Sequence, residues 1–162
     1  MPPCPEKPKL HFRSAGPGDS ARILRWSNEP STRRASFSSH QITEEEHAQW
    51  FKKRLADEDS RLYVAESAQG QHVGLVRFVR SAPEHAEVGI VLDPAFRGKG
   101  LGGPLLQGGI ERMRADWGPL EILADIKPEN AGSLRLFEKA GFVRVGESEY
   151  AGQPCVRYVL SP

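Results

Sequence analysis

The run Arg97-Gly98-Lys99-Gly100-Leu101-Gly102 places three glycines and two cations within six consecutive residues. It follows a strand-like stretch, Glu87-Val88-Gly89-Ile90-Val91-Leu92, and the turn Asp93-Pro94, and it opens an apolar helical pattern. Glycine lets a backbone turn tightly and approach a ligand with no Cβ in the way. Amides freed at the start of the helix then converge on an anion, and Arg97 and Lys99 add positive charge there. The chemistry predicted is phosphate binding. A nucleotide P-loop is excluded, because no Lys-Ser or Lys-Thr stands at the required spacing. Gly98, Gly100 and Gly103 match the dinucleotide glycine pattern, but the paired βαβαβ halves of such a site are missing. The plain alternative is a surface turn rich in glycine and lysine.

The elements that must position this loop form a single domain over residues 10–160, preceded by a loose proline-rich tail at 1–9. With 162 residues, 38% of them hydrophobic, the chain can bury a sizeable core. A net charge of +1 gives no sign of nucleic acid or an anionic membrane as partner. No stretch approaches the ~20 apolar residues of a spanning helix, and the start lacks a signal peptide's hydrophobic run. Cys4 and Cys155 can form at most one bridge, so reduced cysteines in a cytoplasmic protein are the simpler reading. No metal is expected.

A first strand is expected at 10–13, followed by a helix carrying Ile23, Leu24 and Trp26 that stops by Glu29, since Pro30 restricts the residue before it. Residues 31–41 read as a mobile or partly helical lid. Thr43 and Glu46 form a capping box for the helix through Trp50 and Phe51. Strands follow at 61–66, 72–79 and 87–92, then the helix 101–115, a strand at 120–126, a helix at 131–139 stopped by Gly141, and two strands near 142–149 and 153–160. The fold class is α/β, a mixed central sheet flanked by helices. Inside the helix after the loop, Gly108-Gly109 each cost about 1 kcal/mol relative to alanine. Close packing against the sheet and simple tolerance both remain open as explanations.

Taken with the loop, the segment Asn130-Ala131-Gly132-Ser133-Leu134-Arg135-Leu136-Phe137-Glu138-Lys139-Ala140-Gly141-Phe142 resembles the GNAT superfamily of N-acetyltransferases. Arg97, Gly100 and Gly102 match the three fixed positions of that family's pyrophosphate-binding motif. The later segment matches its second cofactor motif, and the resemblance covers residues 9–160. It implies the GNAT acyl-CoA N-acyltransferase fold and acetyl-CoA as donor. It also implies that the strands at 87–92 and 120–126 splay apart at their C-terminal ends. Pantetheine would enter that opening and bond to backbone at Ile90, Val91 and Leu92, with its diphosphate on Arg97, Gly98, Lys99, Gly100, Leu101 and Gly102. The Val91 amide would polarise the acetyl carbonyl for direct attack by an amine. Cys155 has no local reason to be a nucleophile.

Proton transfer is implied at two places. Glu87 shares a strand face with Gly89 and Val91 and is the first candidate for general base, against an exposed strand-edge carboxylate. Glu121 comes next; Asp125 and His72 have weaker claims. Many relatives protonate the thiolate with a tyrosine where this chain has Phe137. Ser133, Tyr150 or water would replace it, or the thiolate leaves unaided, its thiol pKa being near ~8.5. Asn130 is a helix N-cap, a pantetheine partner, or both.

The acceptor should be read from the N-terminal third. Trp26-Ser27-Asn28-Glu29-Pro30, Arg33-Arg34 and the run to Trp50-Phe51 resemble the branch that acetylates UDP-linked 4-amino-4,6-dideoxy sugars in pseudaminic acid biosynthesis. Trp26, Asn28, Arg33, Arg34, Phe37 and Arg77 would then hold the nucleotide sugar, with aromatic surface for its rings and cations for its diphosphate. The plain reading makes the tryptophans core and the arginines solvated. Alternatives are a ribosomal-protein N-terminal alanine, a small-molecule amine, or a non-catalytic acetyl-CoA-binding module. The assembly expected is a monomer or homodimer.

Overall fold

Alternation along the strands sorts side chains onto two faces of one sheet, and helices cover both. The structure, a computed structural model, describes residues 8–162, so the tail expected at 1–9 lies outside them but for its last two residues. Seven strands run in the order β1-β2-β3-β4-β5-β7-β6. They are β1 (His11–Ser14), β2 (Ser60–Glu66), β3 (His72–Ala82), β4 (His85–Leu92), β5 (Glu121–Ile126), β6 (Val143–Tyr150) and β7 (Gln153–Leu160). Helices α1 (Ser20–Ser27), α2 (Pro30–Ala35) and α3 (Glu44–Ala56) precede β2; α4 (Gly102–Trp117) joins β4 to β5, and α5 (Ala131–Lys139) joins β5 to β6. This is the GNAT-type arrangement expected, a mixed sheet between helical layers.

One face of the sheet presents Tyr63, Ala65, Val76 and Phe78 to Leu105, Leu106, Ile110 and Met113 of α4, with Phe137 and Phe142 beside them. The other presents Leu62, Val64 and Leu75 to Ile23 and Trp26 of α1 and Phe51 of α3. The segment 31–41 is partly helical, one of the two forms expected. Pro30 ends α1, but it also starts α2 at once, because proline suits the first helical position. The Glu29 carboxylate caps the new helix by accepting from the Ser31 and Thr32 amides. The rest of the segment is pinned: Arg33 donates to the Ser38 carbonyl at 2.9 Å, and the Gln153 side chain donates to that of Phe37. Only half of the capping box forms, since Thr43 Oγ1 accepts from the Glu46 amide while the Glu46 carboxylate turns to His40.

The glycine pair in α4 is explained by packing. A Cβ at Gly108 would lie 2.2 Å from the Phe12 ring, and one at Gly109 within 2.7–2.8 Å of three Val76 atoms. Val76 is fully buried on a central strand, so it cannot yield. Gly109→Ala should therefore lower stability by about 1–2 kcal/mol, overpacking outweighing the gain in helix propensity. An unchanged or raised denaturation midpoint would contradict this.

The feature that creates the site is the parallel pair. β4 and β5 are in register only at His85↔Glu121, Ala86↔Ile122 and Glu87↔Leu123. Beyond that point β5 continues beside β7 up to Ile126↔Val156, and β4 beside β3 up to Leu92↔Gly74. The two strands diverge there, which leaves every second amide and carbonyl of residues 88–92 facing the gap.

Candidate active site

The gap opens into a cavity of about 550 Å³ that reaches from Asn130, which caps α5, and Ser133 and Phe137 on it, past Ile90 and Val91, to Glu87, Arg77 and Trp50. Its size is that of a small-molecule site. Strand alternation divides the labour along β4. Val88, Ile90 and Leu92 pack on the α4 core, while Val91 packs on the α1–α3 side.

Just past β4, Gly98 and Gly100 both adopt φ +72°, a left-handed conformation that glycine takes freely. Among the described residues, the amides of Gly98 to Gly103 donate to no protein group, whereas Arg97 N reaches the Pro94 carbonyl at 3.3 Å. Successive free amides at the mouth of α4 form an anion cradle. Leu101 is buried, Gly102 lies against Leu136, and the Lys99 ammonium sits 5.6 Å from the Phe96 ring.

The Arg97 side chain is turned away from this cradle, contrary to its expected place over the phosphates. It donates to Glu29 Oε2 at 2.7 Å, Thr32 Oγ1 at 3.0 Å, Ser31 Oγ and the Leu92 carbonyl. It ties α2 to the end of β4. Bonds from Ser31 and then from Arg97 hold the Glu29 carboxyl down at about 2, so the tie is ionised throughout the neutral range. At α5, Asn130 Oδ1 accepts from Ser133 N at 3.2 Å, the N-cap expected, and its amide nitrogen is left over for a ligand. Phe137 is buried edge-on against Phe142, 4.9 Å between centroids.

Residues 9–143 match the family described as the acetyltransferase (GNAT) domain. The chain belongs to the GNAT family. A Bacillus subtilis relative named as a phosphinothricin acetyltransferase is 35% identical over 120 residues, covering 71% of this chain and 72% of that one. A mycothiol acetyltransferase of Corynebacterium glutamicum is 31% identical over 113 residues, 69% of this chain and 36% of that one, so the GNAT chain spans about a third of that relative. A Vibrio cholerae spermidine N-acetyltransferase, solved with CoA and spermine, superposes with a TM-score of 0.85 at 24% identity over 94% of this chain and 95% of that one. At that identity the likeness is one of fold. The reaction class of this GNAT domain is acetyl transfer from acetyl-CoA to an amine.

Within the GNAT cavity the base candidates separate. Asp125 accepts from both Nε and Nη2 of Arg157, at 2.8 and 2.9 Å, a bidentate pair that raises the Arg157 pKa. Glu121 pairs with His85 at 3.1 Å at the closed end of β4 and β5, and His72 with Glu66 at 3.4 Å. Glu87 lines the cavity with no side-chain bond or ion pair among the described residues. Cys155 is buried, and burial pushes its thiol pKa up, so it is no nucleophile.

Three of the expected acceptor residues stand elsewhere. Trp26 is fully buried and donates through Nε1 to Asp93 at 2.7 Å, anchoring the turn before the phosphate loop. Asn28 clips the chain to Ile42 with two bonds of 2.7 and 2.8 Å. Arg34 is exposed outside the cavity, its carbonyl accepting from Lys127. Arg33 does line the cavity, but its fork is occupied by the Ser27 and Ser38 carbonyls and Ser36 Oγ. Phe37 lines it too, 4.8 Å from the Tyr150 ring. Sequence reasoning missed Arg54 as a lining residue and Arg157 as the partner of Asp125. No sequence signal pointed to Arg157, whose place opposite Asp125 is set by the register of the β5–β7 ladder. Among the described residues no helix is long and apolar enough to cross a membrane.

Proposed function

We propose that this protein transfers the acetyl group of acetyl-CoA to the primary amine of a small-molecule acceptor by direct attack. The observation that carries this is the continuous cavity running through the splayed strands, with the second cofactor motif at one end and Glu87, Arg77 and Trp50 at the other. Pantetheine would pass between β4 and β5, the diphosphate resting on the free amides of residues 98–103. The Val91 amide would polarise the acetyl carbonyl and stabilise the tetrahedral oxyanion. Glu87 stands four residues back along the strand, about 13 Å, so it would take the ammonium proton through a chain of waters. Phe137 has no proton to give; Ser133 and Tyr150 line the same cavity, and a thiolate of ordinary pKa leaves without help.

The relatives' names support a small acceptor, phosphinothricin in the Bacillus protein and spermidine in the Vibrio one. A UDP-linked amino sugar is the weaker reading. Of the six residues proposed to hold it, only Phe37 and Arg77 offer the cavity a group not already occupied by the fold. Coenzyme A release should be measured with amino acids, polyamines, aminoglycosides, a UDP-amino sugar and a ribosomal-protein N-terminal peptide. A small amine should be used fastest. Faster turnover of the nucleotide sugar or the peptide would overturn the proposal, and no release with any amine would leave a binding module.

A further inference from the structure

The acceptor half of the cavity is cationic. Arg33, Arg54 and Arg77 line it, against the carboxylates of Glu87 and Asp125. Asp125 is matched by Arg157, Arg33 is occupied by backbone carbonyls, and Arg54 pairs with Asp57 at 3.3 Å. Arg77 is different. Among the described residues it donates no hydrogen bond and has no carboxylate within ion-pair distance, and its guanidinium carbon lies 5.9 Å from the Trp50 ring centroid.

Arg77 is exposed on the cavity wall, and the sheet sets where its stem runs. Arg77 faces Gly89 across the β3–β4 ladder. A Cβ at Gly89 would lie 2.7 Å from Arg77 Nε and 3.3 Å from its Cγ. The arginine therefore lies across β4 at a residue with no side chain to displace it. Surrounding protein lowers its pKa; Tyr150 opposes this, and Arg54 and Arg33 add smaller lowering contributions. An unpaired guanidinium in the wall of the cavity is stabilised by an anion, and its planar fork matches a carboxylate at two points.

We infer that Arg77 binds a carboxylate of the acceptor, so that the substrate is a compact amino acid rather than a polyamine. The inference rests on the small-amine reading above and narrows it. Gly89 is two residues from Val91, about 7 Å along the strand, so the carboxylate and the attacking nitrogen are separated by only a few bonds. A polyamine would bring further cations to Arg33 and Arg77, neither of which has a carboxylate partner among the described residues.

The test offers the full-length enzyme a panel of L-amino acids, each with its carboxamide, and spermidine, with coenzyme A release as readout. The best amino acid should exceed its carboxamide, and spermidine, by roughly 10- to 100-fold in kcat/KM, as expected for charge-assisted bonds. Arg77→Ala should bring the acid-to-amide ratio close to one by raising the KM of the acid, and Arg77→Lys should restore part of it. Gly89→Ala should do the same independently by displacing the guanidinium, which covers the case in which Arg77→Ala fails to fold. Equal use of acid and amide, or a preference for spermidine, would overturn the inference and leave the small-amine reading standing. Acetylation of the peptide or the UDP-amino sugar alone would remove both.

Discussion

Gly100→Val should raise the KM for acetyl-CoA by on the order of 100-fold or more while leaving the protein folded. Gly100 holds φ at +72°, where a β-branched residue is strained, so valine must rotate the backbone out of its left-handed turn. That rotation misaims the neighbouring amides, which have no protein acceptors to restrain them. Losing two charge-assisted bonds to phosphate costs about 3–6 kcal/mol, and each 1.4 kcal/mol is a decade of affinity. The fold should survive because no atom lies within 4 Å of the added Cβ. Gly103→Ala is the control, since Gly103 has ordinary φ and open space. Calorimetric titration with acetyl-CoA, beside a thermal melt, separates the effects. Undiminished affinity in a folded Gly100→Val would dismiss the cradle.

Glu87→Gln should reduce kcat by about 100-fold below the acceptor amine's own pKa, the lower end of what general base catalysis supplies. The lower end applies because Glu87 must act through water. The sign with pH is definite. At low pH the acceptor is an ammonium and needs a base; as pH rises through its pKa the free amine arrives ready, and the defect should shrink. The KM for acetyl-CoA should change little, since Glu87 is the last residue of β4 paired with β5, away from the phosphate loop. A pH–rate profile of the same height and shape in wild type and variant would make Glu87 structural.

What the sequence by itself determined was local. The glycines of 97–102 specify their own backbone, because left-handed φ and free amides at a helix mouth need no distant partner. For the same reason Asn130 was readable as a cap, and Gly141, at φ +94°, as the stop of α5. The alternation of β4 put Glu87, Gly89 and Val91 on one face before any fold was known. Tertiary structure decided where the long side chains went. Arg97 looked like a phosphate ligand, but its partner Glu29 is 68 residues away in sequence, and that carboxylate was free to draw it because Pro30 restarts a helix there. Arg33 and Arg34 looked like a pair, yet adjacent helical residues point about 100° apart, so one lines the cavity and the other faces water. Trp26 looked like a ligand surface until Asp93 gave its indole a half-buried acceptor. The backbone of a turn is fixed by its own few residues; the direction of an arginine or a tryptophan is fixed by whichever opposite charge or acceptor the chain folds back to offer.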